Sequence, residues 1–276
     1  MYYRHSMQYD YPDRSDAHMM EVVHQVDTHF DEHFPYLDES FGYKLARAGL
    51  WLALNTFVFP VCSMRYGLKI SGREHLRANR KLFRDGAITI CNHVFRWDYI
   101  CVMKGIRPHL QYHPGWAGNY EGKDRTMVRL VGGIPIPAGN LPAMKAFSRA
   151  MDRLFEKKSW VHFFPEGSLW FYYPDLRPLK PAVFKYAHKY GRPVIPMALS
   201  FRPRKGFWRL FDKKDVPCVE LHIGQPLLPD PALPLMEDAD RIRLEACRVM
   251  QAMLGVSPGD PTYNENQNID EYVKTM

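Results

Sequence analysis

Two hydrophobic rhythms divide the chain. Residues 48–62, AGLWLALNTFVFPVC, form a nearly unbroken apolar run, preceded by Lys44 and Arg47 and followed by Arg65. From Lys69 onward, short β-branched or alternating stretches take turns with longer stretches of helical period. The strand-like segments are 68–72 (LKISG), 87–91 (AITIC), 109–113 (HLQYH), 133–137 (GIPIP), 159–164 (SWVHFF), 193–199 (PVIPMAL) and 218–224 (CVELHIG). Helical patterns fill 97–106, 120–131, 140–158 and 181–190, and an amphipathic one closes the series at 236–254. This alternation predicts an α/β fold, a mostly parallel central sheet flanked by helices. In such folds chemistry gathers beyond the carboxyl ends of the strands. The strand-to-helix junctions are therefore the places to search.

The apolar run is too short for a simple span. As a helix its residues 48–62 cover about 22 Å, against a hydrocarbon core of about 30 Å. Pro60 is expected to break its far end. With basic flanks, it reads as a helical membrane-associating segment, 41–66, that lies in the interface or re-enters it. Its pattern alone fits a buried core helix as well. The chain then divides into an acidic accessory segment (1–40), this apolar segment (41–66), an α/β domain (67–254) and a polar tail (255–276). Within the first, a helix is predicted over Ser15–Phe34. It would carry His18, His24, His29 and His33, but no cysteine joins them and no metal site is expected.

Charge sharpens this division. The formal net charge of the 276 residues is +7. Residues 1–40 hold nine acids and two bases, a net of −7, whereas 41–235 hold 31 bases and 13 acids, a net of +18. Residues 236–276 return to −4. The basic middle asks for an anionic partner. No nucleic-acid motif or stacking platform accompanies it, so nucleic acid is not expected, and an anionic membrane surface or phosphorylated substrates are. The five cysteines are scattered, with no CxxC pair. They suggest neither a disulfide framework nor a zinc ribbon, and a reducing compartment follows. The opening MYYRHSMQYDYPDRSD has no apolar core and does not read as a secretory signal. The expected location is the cytoplasmic face of a membrane.

The first junction reads ITICNHVFRWDYICV. His93 follows the strand and Asp98 comes five residues later. Inside one helix the two would point about 140° apart. They meet only if His93 lies in the loop and Asp98 in the first turn of the helix. A paired carboxylate fixes the imidazole tautomer and leaves the other ring nitrogen to take a proton, which is general-base chemistry. Further junctions are VRLVGGIPIPAGN (128–140), WVHFFPEGSLW (160–170) and RPVIPMAL (192–199).

In this order and spacing the four junctions resemble the motifs of the glycerolipid acyltransferase family, which includes the 1-acylglycerol-3-phosphate (lysophosphatidic acid) acyltransferases. The matches are Asn92-His93 with Asp98, Gly132–Ile136, Phe164–Gly167, and Val194–Pro196, over roughly residues 68–226. The resemblance implies a glycerol-3-phosphate acyltransferase-like fold. It implies His93 as general base, Asp98 as its orienting partner, and an acceptor pocket shaped by Glu166, Gly167 and Ser168. It implies acyl-CoA or acyl-carrier protein as co-substrate, a lysophospholipid acceptor, and neither cofactor nor metal. Two arginines of the family pattern are absent. Pro137, Ala138 and Gly139 follow the second motif, and Ser168, Leu169 and Trp170 the third. Arg96, Arg129, Arg177 and Lys180 are the candidate replacements. Trp170–Tyr173 are candidates for an acyl groove, a membrane contact or plain packing. No GxSxG elbow occurs and no cysteine has an evident base, so direct attack by the acceptor is the simpler route. A phospholipid transacylase would use the same His–Asp pair, and a non-catalytic lipid-binding protein would share the fold.

Overall fold

A computed structural model describes residues 9–15, 17–19, 30–137, 139–211 and 216–258. Its centre is a seven-stranded sheet in the order β1-β7-β6-β2-β5-β3-β4. The strands are β1 (Lys69–Ser71), β2 (Ile88–Cys91), β3 (Gln111–Trp116), β4 (Gly133–Ile136), β5 (Trp160–Phe163), β6 (Val194–Arg202) and β7 (Cys218–Ile223). All pairings are parallel except β6 with β7. The β2 sequence Ile-Thr-Ile-Cys is wholly buried, as a central strand covered on both faces requires.

Helices cover both faces. On one face lie α6 (Leu141–Glu156), α7 (Ala182–Tyr190) and α8 (Leu235–Leu254). Helix α6 turns Ala143, Ala146, Phe147, Ala150, Met151 and Leu154 inward, a helical repeat of apolar positions. Asn140 caps it by accepting from the Ala143 N–H at 3.1 Å. These helices pack on Ile88, Ile90, Val161 and Val194. On the other face α4 (Asp98–Gly105) packs Cys101 and Val102 against Cys91, Ile195 and Met197.

Outside α4 lies the apolar segment. It is helical from Phe41 to Tyr66: α1 (Phe41–Ala53), a π-helical stretch (Leu54–Val58) and α2 (Phe59–Tyr66). Pro60 does not end it, contrary to expectation. Proline lacks the N–H that an α-helix needs at that point, and the wider π turn just before it absorbs the mismatch. The 26 helical residues are long enough to cross a bilayer by length and composition, at about 39 Å. One stripe of them lies against the domain. Leu54 and Phe59 are buried on Ile100, Met103 and Val131. The opposite side exposes Phe41, Leu45, Leu52, Phe57, Val61 and Met64.

Three boundaries differ from the pattern. β3 starts at Gln111 and runs on through Pro114 and Gly115. It pairs with β5 only at Gln111 and Tyr112, so the missing N–H of Pro114 faces no second ladder. The predicted helix 120–131 resolves into a 3₁₀ turn (Ala117–Tyr120) and a short α5 (Arg125–Leu130), with a bend through Gly122. A short α3 (Arg73–Ala78) follows Gly72, which has a left-handed φ of 82°. Of the predicted helix Ser15–Phe34, Phe30–Phe34 form turns, while residues 16 and 20–29, with His24 and His29, lie outside the described residues. No metal-binding group of His, Cys, Asp or Glu occurs among the described residues.

Candidate active site

The two central junctions arrive at the same end of the sheet. Ile90 of β2 is level with Phe163 of β5, so the loops carrying His93 and Glu166 leave side by side. Asn92 fastens the first loop to β6. Its amide donates to the Leu199 carbonyl at 3.0 Å and accepts the Leu199 N–H at 2.7 Å. His93 then lies in the loop and Asp98 opens α4, the arrangement the spacing demanded. The His93 imidazole Nδ1 bonds the Asp98 Oδ2. Asp98 is buried, and its other oxygen accepts the Tyr99 N–H at 2.6 Å. The His93 ring stacks on Phe164 with centroids 4.1 Å apart. Its side chain remains 24% exposed. Nδ1 is engaged, the ring plane is fixed, and Nε2 is the nitrogen left to accept a proton.

Glu166 works from beneath. It is 1% exposed. One carboxylate oxygen accepts the His93 N–H at 2.8 Å and the Arg177 Nη2 at 2.9 Å. The other accepts the Arg177 backbone N–H at 2.9 Å. Both oxygens are thus spent inside the protein. Glu166 thus ties the His93 loop to Arg177. Ser168 is likewise buried, and its hydroxyl accepts from Arg177 Nη1 at 2.7 Å. Arg177 also donates to the Ser15 carbonyl at 2.9 Å and lies over the Trp170 ring. Its guanidinium is a structural hub, not an exposed phosphate ligand. Sequence reading found no signal for this, because Arg177 stands eleven residues from Glu166 across an irregular loop.

Gly167 has a φ of 84°, and a Cβ there would meet the Lys180 side chain at 2.8 Å. The positive φ calls for glycine, whereas the Lys180 chain end can swing aside. Gly167 brings the Lys180 ammonium beside the third motif, and the Lys180 N–H ties back to the Pro165 carbonyl at 2.8 Å. Arg96 is exposed in the loop between His93 and Asp98, with its guanidinium 5.9 Å from the Trp97 ring centre. Arg129 belongs elsewhere. It donates to the Pro35 carbonyl at 2.9 Å, lies over Phe34, and lines a cavity of about 350 Å³ with Phe30, Tyr43, Tyr120 and Arg125. Of the candidate cations, Lys180 and Arg96 accompany the His93 and Glu166 loops.

The acidic N-terminal segment crosses this end of the sheet. Tyr11 donates to the Phe171 carbonyl at 2.9 Å and stacks on Trp170. Trp170 Nε1 donates to the Ala17 carbonyl at 2.8 Å. His18 stacks on Trp116 at the end of β3, centroids 4.5 Å apart. The aromatic run Trp170–Tyr173 therefore packs against Tyr9, Tyr11, Phe95 and Phe201, the packing alternative of the three.

Behind His93, on the face under α4, is a buried polar layer. Thr89 and His162 share a hydrogen bond at 2.8 Å. Burial, with Arg47 and His93 nearby, pushes the His113 imidazole down to about 3. Burial pushes His162 well down too. An unfolded imidazole titrates at about 6.5. As pH falls below that, the unfolded chain takes up protons that the folded chain refuses. The stabilising contribution is therefore complete above about pH 6.5 and declines as pH drops toward 3. Urea midpoints of the wild type should fall on acidification from about pH 7.5 to 5, and more steeply than those of His113→Gln. Equal slopes would remove His113 from the explanation.

Residues 67–200 match the family model described as Acyltransferase. No curated protein matches the chain. Among solved structures it is similar to the crystal structure of the 1-acyl-sn-glycerophosphate (LPA) acyltransferase PlsC from Thermotoga maritima. The identity is 17% and the TM-score 0.50, covering 79% of this chain and 84% of that one. At that identity the likeness is one of fold.

Proposed function

From the match of residues 67–200 to the acyltransferase family model, we propose that the chain transfers a fatty acyl chain from acyl-CoA or acyl-carrier protein to the free hydroxyl of a lysophospholipid at a membrane surface. The observation that carries this reading is the His93–Asp98 contact, held from below by Glu166. In the proposed step His93 Nε2 takes the acceptor's hydroxyl proton as its oxygen attacks the thioester carbonyl. The tetrahedral intermediate collapses, the C–S bond breaks, and the thiolate leaves with the proton returned by His93. Asp98 holds the tautomer and stabilises the imidazolium. No acyl-enzyme and no cofactor are required. Lys180 and Arg96 are the cations placed to meet an acceptor headgroup.

The helical segment 41–66 supports the membrane half of the proposal. Its inner stripe packs on α4, and its outer stripe, bounded by the exposed Lys44 and Arg65, is largely apolar. Thr56 hides its hydroxyl by donating to the Leu52 carbonyl at 2.8 Å. A core helix would not leave such a stripe in water, whereas a helix lying in the bilayer interface requires it. Leu45→Glu with Leu52→Glu and Val61→Glu should weaken co-pelleting with liposomes strongly and leave the fold intact. Unchanged pelleting would contradict the membrane assignment.

The donor test separates this reading from a transacylase. Labelled acyl-CoA and acyl-carrier protein are offered with a panel of lysolipids. Diacyl product that requires the thioester supports the proposal. Product formed from a diacyl phospholipid without thioester would replace it with transacylation.

A further inference from the structure

We propose that the helical turn Gly206–Phe211, which follows β6, is a second membrane-docking element, and that its partner is a bilayer bearing anionic headgroups. The inference rests on the acyltransferase reading only in taking the lipid surface as the place of work. Met197 of β6 pairs with Cys91, the last residue of β2. β6 then continues to Arg202, carrying the chain about 16 Å past the end of β2. That is the end from which His93 emerges. The hairpin therefore projects beyond the candidate active site, in the direction a substrate must come from.

The tip of the hairpin is built for contact rather than for folding. The helical turn Gly206–Phe211 buries none of its residues. Phe207 is 57% and Leu210 77% exposed. Phe207 packs on Trp208 and Phe211, with centroids 5.5 and 5.2 Å away, so the aromatic rings of the turn lean on one another. Arg204 braces the turn by donating to the carbonyls of Val216 and Trp208. Lys205 and Arg209 stand exposed at its rim. Large apolar side chains at the tip with basic residues beside them match a bilayer interface, where rings and leucine enter and cations meet phosphate. The turn also packs against α2, whose exposed Val61, Met64 and Arg65 extend the patch. The outer stripe of α1–α2 and the hairpin tip then form one surface. A surface built from two elements fixes an orientation that one helix cannot, and this one turns the mouth of the site toward the lipid.

The test uses the full chain and vesicles of phosphatidylcholine with and without phosphatidylglycerol. Phe207→Ser/Leu210→Ser should weaken binding to the anionic vesicles about tenfold or more. Lys205→Glu/Arg209→Glu should do the same and remove the preference for phosphatidylglycerol. All four side chains are outside the core, and circular dichroism checks that the variants are folded. Transfer to vesicle-embedded lysolipid should fall in parallel, while transfer to detergent-dispersed lysolipid should hold. Loss of vesicle binding in a protein that transfers nothing in any format would sink the acyltransferase reading and leave the docking element standing. Wild-type binding by both variants would overturn the proposal. A change in oligomeric state with unchanged vesicle binding would overturn it too, and would assign the patch to a second copy of the chain.

Discussion

Alanine at position 93 is expected to lower acyl transfer by about 10²–10⁴-fold, the usual contribution of a positioned general base. The loss should fall on kcat, since the imidazole acts on the proton in flight and not on the resting lipid. The fold should survive, because the loop is held by groups other than the ring. Asn92 fastens it to Leu199, and Glu166 grips the His93 backbone N–H. Asp98→Asn should lose activity as well, with unchanged binding of the acceptor. The carboxylate acts through His93 by fixing Nδ1, and an amide in its place can present the wrong partner. Steady-state kinetics on folded variants decide this. Retention of activity within about threefold in His93→Ala would contradict the mechanism.

The second large effect concerns stability. Glu166 and Arg177 form an ion pair at 2.9 Å whose side chains are 0% and 2% exposed. Removing one partner strands the other in a low-dielectric interior. Glu166→Ala should cost about 3–5 kcal/mol, and it also orphans the His93 backbone N–H. Arg177→Met should cost a comparable amount. Replacing both, as Glu166→Leu with Arg177→Met, should destabilise less than the two single losses added together, because neither charge is then left unpaired. Chemical denaturation of the four proteins measures this coupling. Strict additivity would mean that the pair does not act as a unit.

These two effects divide the labour at the site. In the proposed mechanism chemistry belongs to His93 and Asp98, and geometry to a buried layer built around Arg177. That layer joins the third motif to the His93 loop and, through Ser15, to the acidic N-terminal segment. A conservative change at Arg177 should therefore disturb activity without touching a substrate.

The sequence made part of this legible. Period and length located all seven strands, because buried parallel strands need short β-branched runs and their crossover helices need a 3.6-residue repeat. The His93–Asp98 contact was legible for a local reason: both residues sit within one loop-and-helix start, so spacing constrains them. The helix 41–66 was harder. Pro60 reads as a stop in any α-helix, and only the π turn before it lets the helix continue. The role of Glu166 was hidden, since its partners come from 73 residues upstream and 11 downstream. Arg129 looked like a site cation because it precedes the second motif. In space it faces Phe34 and Pro35, a segment whose position no local pattern encodes.

The measurement that bears most directly on the whole account is single-turnover transfer of labelled acyl chain to a lysophospholipid, with intact-protein mass analysis at each time point. The account predicts diacyl product that depends on both thioester and His93, with no acylated protein along the way. An acyl-enzyme that forms and decays at the rate of product formation would contradict direct attack. Folded, liposome-bound protein that makes no product from either donor would contradict the acyltransferase assignment itself.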